Sequence, residues 1–188
     1  MTPRATSEHL VHAALELIRD GRTRIVDAGT GSGALAIAIA STARDAVLWA
    51  TDTSLDAVAL ARANVRRHAL TDRITVCLGD LLEPVPGPVD LVVANLPYLP
   101  AGDAANFPNL ASEPGDAVFA VGDGLDPYRR LIDVCARRLS AHGAMAIQLH
   151  RRVLTARSEE LPRLLGEVER VQHSATRPSA RRQLAAAA

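Results

Sequence analysis

The stretch Arg24-Ile25-Val26-Asp27-Ala28-Gly29-Thr30-Gly31-Ser32-Gly33 decides the fold class of this chain. It begins with apolar, β-branched residues typical of a buried strand and continues into a loop with glycine at every second position. Glycine adopts positive φ readily, and its missing Cβ lets a ligand approach the backbone closely. The apolar residues 34–40 predict a helix whose first N–H groups face that ligand. The stretch therefore predicts a strand, a binding loop and a helix of an α/β fold.

The spacing of the glycines argues against a nicotinamide cofactor. The dinucleotide-binding fingerprint places two residues between its second and third glycines, whereas a single residue separates Gly31 from Gly33 here. That fingerprint also usually lacks an acid just before its first glycine, where this chain has Asp27. Taken alone, the loop is equally compatible with an ordinary strand-to-helix turn.

Two further acids follow predicted strands. Residues 47–51 predict a second strand that Asp52 closes, and residues 74–78 predict a third strand that is followed by Gly79-Asp80. An acid after the second strand of a doubly wound fold accepts hydrogen bonds from a ribose diol. Because parallel strands end at one edge of the sheet, all three acids are expected to face one ligand.

With these acids, the pattern Asp27-x-Gly29-x-Gly31-x-Gly33 resembles the first motif of class I S-adenosylmethionine-dependent methyltransferases. The resemblance implies S-adenosyl-L-methionine as cofactor and S-adenosyl-L-homocysteine as product. It also implies that Asp80 meets the exocyclic amine of adenine, with Leu81 packing nearby. The predicted cofactor-binding residues are Asp27, Gly29, Thr30, Gly31, Gly33, Asp52, Thr53, Asp80, Leu81 and Asn95.

The tetrapeptide Asn95-Leu96-Pro97-Tyr98 follows the apolar run Leu91-Val92-Val93-Ala94 and predicts a platform for a flat, nitrogen-bearing group. The side-chain oxygen of Asn95 and the backbone carbonyl after it can accept the two N–H bonds of an amide. Pro97 keeps the backbone rigid, and Tyr98 packs against the planar group. The pattern indicates methylation of an amide or amine nitrogen, with Asn95, Pro97 and Tyr98 as the catalytic residues.

Two further elements make the resemblance more specific. Glu113-Pro114 and the stretch Gly122-Asp123-Gly124-Leu125-Asp126-Pro127-Tyr128-Arg129, taken with the tetrapeptide, resemble the release-factor glutamine N5-methyltransferases, the HemK or PrmC family. The opening Pro3-Arg4-Ala5-Thr6-Ser7-Glu8 resembles the start of that family's catalytic domain, and the match covers residues 3–149. The resemblance implies methyl transfer to a glutamine amide of a protein of the release-factor type. The implied substrate-binding residues are Asn95, Leu96, Pro97, Tyr98, Glu113 and Pro114.

The chain departs from that family at several points. Leu96 stands where the family usually has proline, and leucine there resembles the ribosomal RNA dimethyladenosine transferases. Gln148 replaces a common glutamate, and the chain starts where the family's helical amino-terminal domain would end. An N-methyltransferase for adenine in nucleic acid or for a small molecule therefore stays open. A third alternative is a nucleotide-binding module without methyl transfer, which an intact Asn95-to-Tyr98 tetrapeptide argues against.

Composition bounds these alternatives. The 188 residues predict one domain, 48% of them are hydrophobic, and the formal net charge is zero, which disfavours nucleic acid as a partner without excluding it. The absence of a long apolar run or signal peptide predicts a cytoplasmic protein without membrane contact. The two cysteines, Cys77 and Cys135, are interpreted as small buried hydrophobes, and the pair His9 and His12 as a solvated helix face, so no metal is predicted. Oligomeric state stays open.

Alternating elements predict a class I methyltransferase Rossmann-like fold, with a mostly parallel twisted sheet and helices on both faces. Thr6 or Ser7 is expected to cap a first helix, further helices are expected at residues 54–68 and 128–139, and a fifth strand at residues 143–149. Residues 1–175 are predicted to form the methyltransferase domain, with residues 99–124 as a loop on the substrate side. Residues 168–171 could add a strand, whereas residues 176–188 form an arginine- and alanine-rich tail without a β pattern, expected to be flexible.

Overall fold

The computed structural model describes residues 5–19, 21–97, 99–100, 119–120, 125–149 and 185–187. The helices are α1 (Ala5–Ile18), α2 (Ala34–Thr42), α3 (Leu55–Arg67) and α4 (Asp126–Arg138). The strands are β1 (Arg24–Ala28), β2 (Val47–Asp52), β3 (Ile74–Leu78), β4 (Val89–Ala94), β5 (Leu99–Pro100), β6 (Phe119–Ala120), β7 (Leu139–Gln148) and β8 (Ala185–Ala187). Within these ranges, no helix is both long and apolar enough to span a membrane.

The sheet that carries the fold has six strands in the order β3-β2-β1-β4-β7-β8. Every strand pairing of the described residues is parallel, and β5 pairs with β6 in a separate small sheet. The predicted parallel α/β fold is confirmed. The strand order reverses between β1 and β4, and in open α/β sheets ligands bind outside the carboxyl ends of the strands at such a point.

Helices cover both faces of the sheet because successive strand residues point to opposite sides. On β1, Ile25 packs into a cluster with α1, α2 and α3, whereas Val26 and Ala28 pack into a second cluster with α4. On β4, Leu91 and Val93 face the first cluster. Two aliphatic layers, one on each side of the sheet, therefore hold the strand ends in register.

Helix boundaries differ slightly from the sequence expectations. α1 begins at Ala5, so Thr6 and Ser7 lie in its first turn, and the prediction that one of them caps the helix is wrong. Alanine favours helix more than either of them, which is consistent with the earlier start. α4 begins two residues before Tyr128, with proline in its first turn, where a missing N–H costs no hydrogen bond. α3 matches its prediction, with the Ser54 hydroxyl accepting the N–H of Ala57.

The carboxyl-terminal tail contributes a strand that sequence patterning did not predict. Ala185–Ala187 pairs with the end of β7 in parallel register, so the expectation of no β structure in residues 176–188 is wrong for these three residues. Backbone groups alone form such a pairing, and alanine carries no β-branched signal that could indicate it. The suggested strand at residues 168–171 lies outside the described residues, and the domain boundary at residue 175 stays a prediction.

Candidate active site

The glycine loop and the Asn95 tetrapeptide leave the sheet side by side. Ala28 at the end of β1 pairs with Ala94 at the end of β4, so Gly29 and Asn95 are the first residues beyond neighbouring strands. This is the point where the strand order reverses. The topology therefore brings the two predicted parts of the site together at one place.

The glycine loop is held from the strand beside it. The carbonyl of Thr51 on β2 accepts the N–H groups of both Gly29 and Thr30, each at 2.9 Å. On the far side of the loop, the side-chain amide of Asn64 on α3 donates to the carbonyl of Ser32 at 2.8 Å. Glycines 29, 31 and 33 have φ values of 72°, 55° and 81°, a region where glycine is strongly favoured.

Asp27 lies beneath this loop and is almost fully buried, with 1% of its surface exposed. Its Oδ2 accepts the hydroxyl of Thr30 at 2.6 Å and the N–H of Ala36 at 3.2 Å, which ties β1 to the loop and to α2. Burial raises the pKa of Asp27 to about 6, although the hydrogen bonds from Thr30 and Ala36 act in the opposite direction. Asp27 therefore supports the loop from below; a direct cofactor contact stays a prediction.

The raised pKa of Asp27 predicts a stability that depends on pH. The folded value of about 6 lies above the ordinary value of 3.8, so the stabilising contribution is fully present below 3.8 and is lost as pH rises through about 6. A shift of this size corresponds to about 3 kcal/mol. We expect the free energy of unfolding of the wild type, relative to Asp27→Asn, to fall by that amount between about pH 4 and pH 7. Denaturant titrations across this range measure it, and parallel pH profiles for the two proteins would contradict it.

Asp52 connects the glycine loop to the start of α3. Its Oδ2 accepts the N–H of Gly31 at 2.9 Å, and its Oδ1 accepts the N–H of Ser54 at 2.9 Å. The side chain is half-buried, and its neighbour Thr53 is exposed. Each carboxylate oxygen keeps a further lone pair, so Asp52 retains the capacity to accept two more hydrogen bonds.

The third acid, Asp80, forms an ion pair that the sequence did not indicate. Arg130 on α4 donates to Asp80 Oδ2, and both side chains are partly exposed. The next residue, Leu81, is buried and adopts φ 47°, which is uncommon for a residue with a side chain. The hydroxyl of Thr51 donates to the carbonyl of Leu81 at 2.7 Å. Thr51 thus contacts both the glycine loop and the turn after β3.

The tetrapeptide begins with half-buried Asn95, continues with buried Leu96 and reaches half-buried Pro97. The side chain of Leu96 packs against the glycine loop: a Cβ built on Gly29 would lie 2.6 Å from Leu96 Cδ2. Glycine at position 29 is therefore required both by its φ and by the space that Leu96 occupies. Three predicted site residues, Tyr98, Glu113 and Pro114, lie outside the described residues.

Sequence reasoning missed Thr51, Asn64 and Tyr128. Thr51 and Asn64 hold the loop by hydrogen bonds, and the hydroxyl of Tyr128 lies 3.0 Å from the carbonyl oxygen of Leu96. A polar residue at the end of the apolar second strand was the available signal for the hydroxyl of Thr51, which donates to Leu81, whereas its backbone carbonyl left no signal in the sequence. Asn64 looks like any polar residue of a surface helix, so its contact required the tertiary structure.

The predicted burial is confirmed for Cys135 but not for Cys77, and the histidine pair lies on an exposed helix face as predicted. Cys135 is fully buried, which raises the pKa of its thiol to about 12, and Cys77 is half-buried. His9 and His12 are exposed. Among the described residues, no cluster of three or more histidine, cysteine or acidic side chains has a metal-binding arrangement.

Comparison with known families identifies the chain. The Methyltransferase small domain family matches residues 6–109, more than half of the sequence, including the glycine loop, all three acids and the tetrapeptide. The chain belongs to the methyltransferase small domain family.

Relatives of this methyltransferase-family chain include glutamine methyltransferases. It is 38% identical over 153 residues to the release factor glutamine methyltransferase of Gloeobacter violaceus, a match covering 79% of this chain and 54% of that protein. It is 36% identical over 158 residues to the ribosomal protein uL3 glutamine methyltransferase of Neisseria gonorrhoeae, covering 82% and 49%. The chain spans about half the length of these curated relatives. The resemblance to the HemK or PrmC family is confirmed.

A solved structure supports the fold of this methyltransferase-family chain. The ribosomal protein L11 methylase of Lactobacillus delbrueckii subsp. bulgaricus matches with a TM-score of 0.59 at 22% identity, over 89% of this chain and 70% of that chain. At this identity the likeness concerns the fold alone. It confirms the predicted class I methyltransferase architecture.

Proposed function

We propose that this chain binds S-adenosyl-L-methionine and transfers its methyl group to the side-chain amide of a glutamine in a protein of the translation machinery, of the release-factor type. The observation that carries the proposal is the placement of Asn95-Leu96-Pro97 directly beside the glycine loop where the strand order reverses. The names of the relatives, which are about 36 to 38% identical, support the glutamine acceptor.

The described residues fit this cofactor. Asp52 accepts one N–H from the glycine loop and one from Ser54 at the start of α3, and it keeps lone pairs for the two hydroxyls of a ribose. Asp80, in its ion pair with Arg130, follows the neighbouring strand and offers its second oxygen to an exocyclic amine. The bare Cα atoms of the glycine loop leave room for a ligand beside the backbone. When bound, S-adenosyl-L-methionine would supply a methyl group on a positively charged sulfur; S-adenosyl-L-homocysteine is the leaving group, and the methylated amide nitrogen then loses one proton to solvent.

The residues of the tetrapeptide suit an amide acceptor. An amide nitrogen is a poor nucleophile because its lone pair is delocalised into the carbonyl, so the site must hold it in a productive position. The side-chain oxygen of Asn95 and the carbonyl of Leu96 can accept its two N–H groups. The ring of Pro97 fixes its own φ and so restricts the backbone directly after the Leu96 carbonyl. Such positioning can contribute several kcal/mol, out of roughly 7 to 11 in ideal cases.

Leu96 stands where the HemK or PrmC family usually has proline, and this difference favours the second candidate, adenine methylation. The position of the Leu96 side chain weakens that argument. Only 6% of Leu96 is exposed, and its Cδ2 lies against Gly29 in the cofactor loop. The difference from proline is therefore accommodated by packing inside the protein. We infer that the backbone carbonyl of residue 96, common to leucine and proline, is the group that faces the acceptor.

Incubation with methyl-labelled cofactor tests the proposal. The purified chain is mixed separately with a bacterial release factor, with ribosomal protein uL3, with total RNA and with a metabolite extract. We expect label in one protein, mapped by peptide mass spectrometry to a single glutamine. Calorimetry on the same preparation measures cofactor binding independently of any acceptor.

The control is the same protein substrate with the mapped glutamine changed to alanine, which is expected to remain unlabelled. Label that appears only in RNA or in a small molecule would reject the glutamine acceptor and leave methyl transfer intact. Absence of cofactor binding by calorimetry would reject the enzyme activity altogether.

A further inference from the structure

Tyr128 links the ends of β4 and β7 beyond their last ladder pair. The register of these strands runs as far as Ala94 opposite Ile147. Past that point, the hydroxyl of Tyr128 lies 3.0 Å from the carbonyl oxygen of Leu96 and 2.6 Å from the carbonyl oxygen of Gln148. A phenol has one proton, so the two carbonyls share a single donor. The tyrosine therefore connects the strands at the level of the tetrapeptide.

The ring of Tyr128 is immobilised by its surroundings. It lies in the first turns of α4, and 1% of its surface is exposed. Leu96, Leu125, Ile147 and Leu149 belong to the same buried cluster. In such an apolar environment a hydrogen bond is stronger than in water, and the ring cannot rotate away from its acceptors without disturbing the core.

Leu96 is consequently fixed at both its side chain and its carbonyl. The side chain packs against Gly29 of the glycine loop, and the carbonyl accepts from Tyr128 a proton that it shares with the nearer carbonyl of Gln148. A carbonyl oxygen has two lone pairs, so the bond from Tyr128 leaves one for a second donor. In the proposed function that second donor is an N–H of the acceptor amide.

We propose that Tyr128 is a positioning residue for methyl transfer, which acts by holding the Leu96 carbonyl in the direction that receives the acceptor amide. The inference rests on the proposed function, because it assigns the Leu96 carbonyl to the acceptor. Tyr128 itself does not touch the reacting atoms. Its position on α4 couples the acceptor site to the helix that also carries Arg130, the partner of Asp80.

The substitution Tyr128→Phe removes the hydroxyl and keeps the ring. We expect kcat to fall about tenfold, as for loss of one well-placed hydrogen bond, while the Kd of the cofactor changes less than about twofold. KM for the acceptor is expected to change little, because the amide still has Asn95 and Leu96 as partners but is held at a less favourable angle. Steady-state kinetics and calorimetry measure the three quantities.

Cys135→Ala supplies the matched control. Cys135 lies about two turns further along α4 and is fully buried in the same cluster. Within the described residues, its side chain forms no hydrogen bond to the tetrapeptide. It is expected to lower thermal stability while leaving kcat unchanged. A fall in kcat that is equal in Tyr128→Phe and Cys135→Ala would overturn the positioning role.

A spectroscopic measurement separates this inference from the proposed function. Tyr98 and Tyr128 are the two tyrosines of the chain, so a ring-labelled sample gives two assignable signals, and the signal that persists in Tyr98→Phe belongs to Tyr128. We expect the hydroxyl proton of Tyr128 to exchange slowly with solvent, because it is buried and lies within hydrogen-bond distance of two carbonyl oxygens. A hydroxyl proton that exchanges as fast as that of a solvated phenol would overturn the hydrogen bond.

The kcat values of the wild type and of Tyr128→Phe are compared with whichever acceptor the wild type methylates. If that acceptor is RNA or a metabolite, the glutamine proposal fails, and the kcat of Tyr128→Phe still decides the role of Tyr128. An unchanged kcat in Tyr128→Phe with any methylated acceptor overturns the positioning role alone. A wild type that methylates no acceptor overturns both proposals.

Discussion

Asn95→Ala is expected to lower kcat by about 10² to 10³-fold while leaving the Kd of S-adenosyl-L-methionine within about twofold. In the proposed function, the substitution removes the side-chain oxygen that accepts one N–H of the acceptor amide and retains the backbone carbonyl of Leu96. An amide held by one oxygen can rotate away from the productive direction, and most encounters then fail. Single-turnover kinetics with saturating cofactor measure the effect on methyl transfer itself.

Asn64→Ala is the matched control because it removes the same side-chain amide at a different place. Asn64 donates to the carbonyl of Ser32 and therefore supports the cofactor loop. We expect this variant to bind the cofactor more weakly and to keep a kcat close to that of the wild type when the cofactor is saturating. If Asn95→Ala methylated at nearly the wild-type rate, the assignment of Asn95 to the acceptor would fail.

Gly29→Ala is expected to have the largest effect on the fold of the site. The new Cβ would lie 2.6 Å from Leu96 Cδ2, and the backbone would have to keep a φ of 72° with a side chain present. Because Leu96 is packed in the core, it cannot move aside freely. Strain and overpacking together predict a loss of about 2 to 3 kcal/mol in the free energy of unfolding. Turnover should fall as well, because displacing Leu96 also displaces its carbonyl.

Gly21→Ala distinguishes backbone strain from overpacking as the cause of the lost stability. Gly21 has a similar φ of 85°, but a Cβ built there would meet nothing within 4 Å. This control should therefore lose about 1 kcal/mol from backbone strain and keep its kcat. Denaturant titration of both variants gives the comparison. Equal losses of stability, with turnover retained in Gly29→Ala, would contradict the contact between Leu96 and the cofactor loop.

Much of the sheet edge that carries the candidate site could be predicted because its signals are local. Asp27, Asp52 and Asp80 each follow or close an apolar, β-branched run, and parallel strands place such residues at one edge. The glycines of the loop were recognisable because the positive φ they adopt has a known preference for glycine. These inferences needed no knowledge of which elements pack together.

The contacts that hold the site residues in place could not be predicted, because they join elements that are distant in sequence. Thr51 holds the turn at Leu81, and Arg130 pairs with Asp80 across 50 positions of the chain. The strand at Ala185–Ala187 was missed for a related reason, since backbone pairing leaves no mark on the side-chain pattern. In each case the partner, and not the residue type, determines the role.

By itself, the sequence determined the α/β class, the parallel sheet, the glycine loop and the position of the tetrapeptide after a strand, because periodicity and turn chemistry are properties of neighbouring residues. Only the tertiary structure decided that Leu96 packs against Gly29 and that its carbonyl accepts from Tyr128. The physical reason is that both contacts arise where β1, β4, β7 and α4 meet. Core packing orients the carbonyl of residue 96, and no local pattern in the chain encodes that direction.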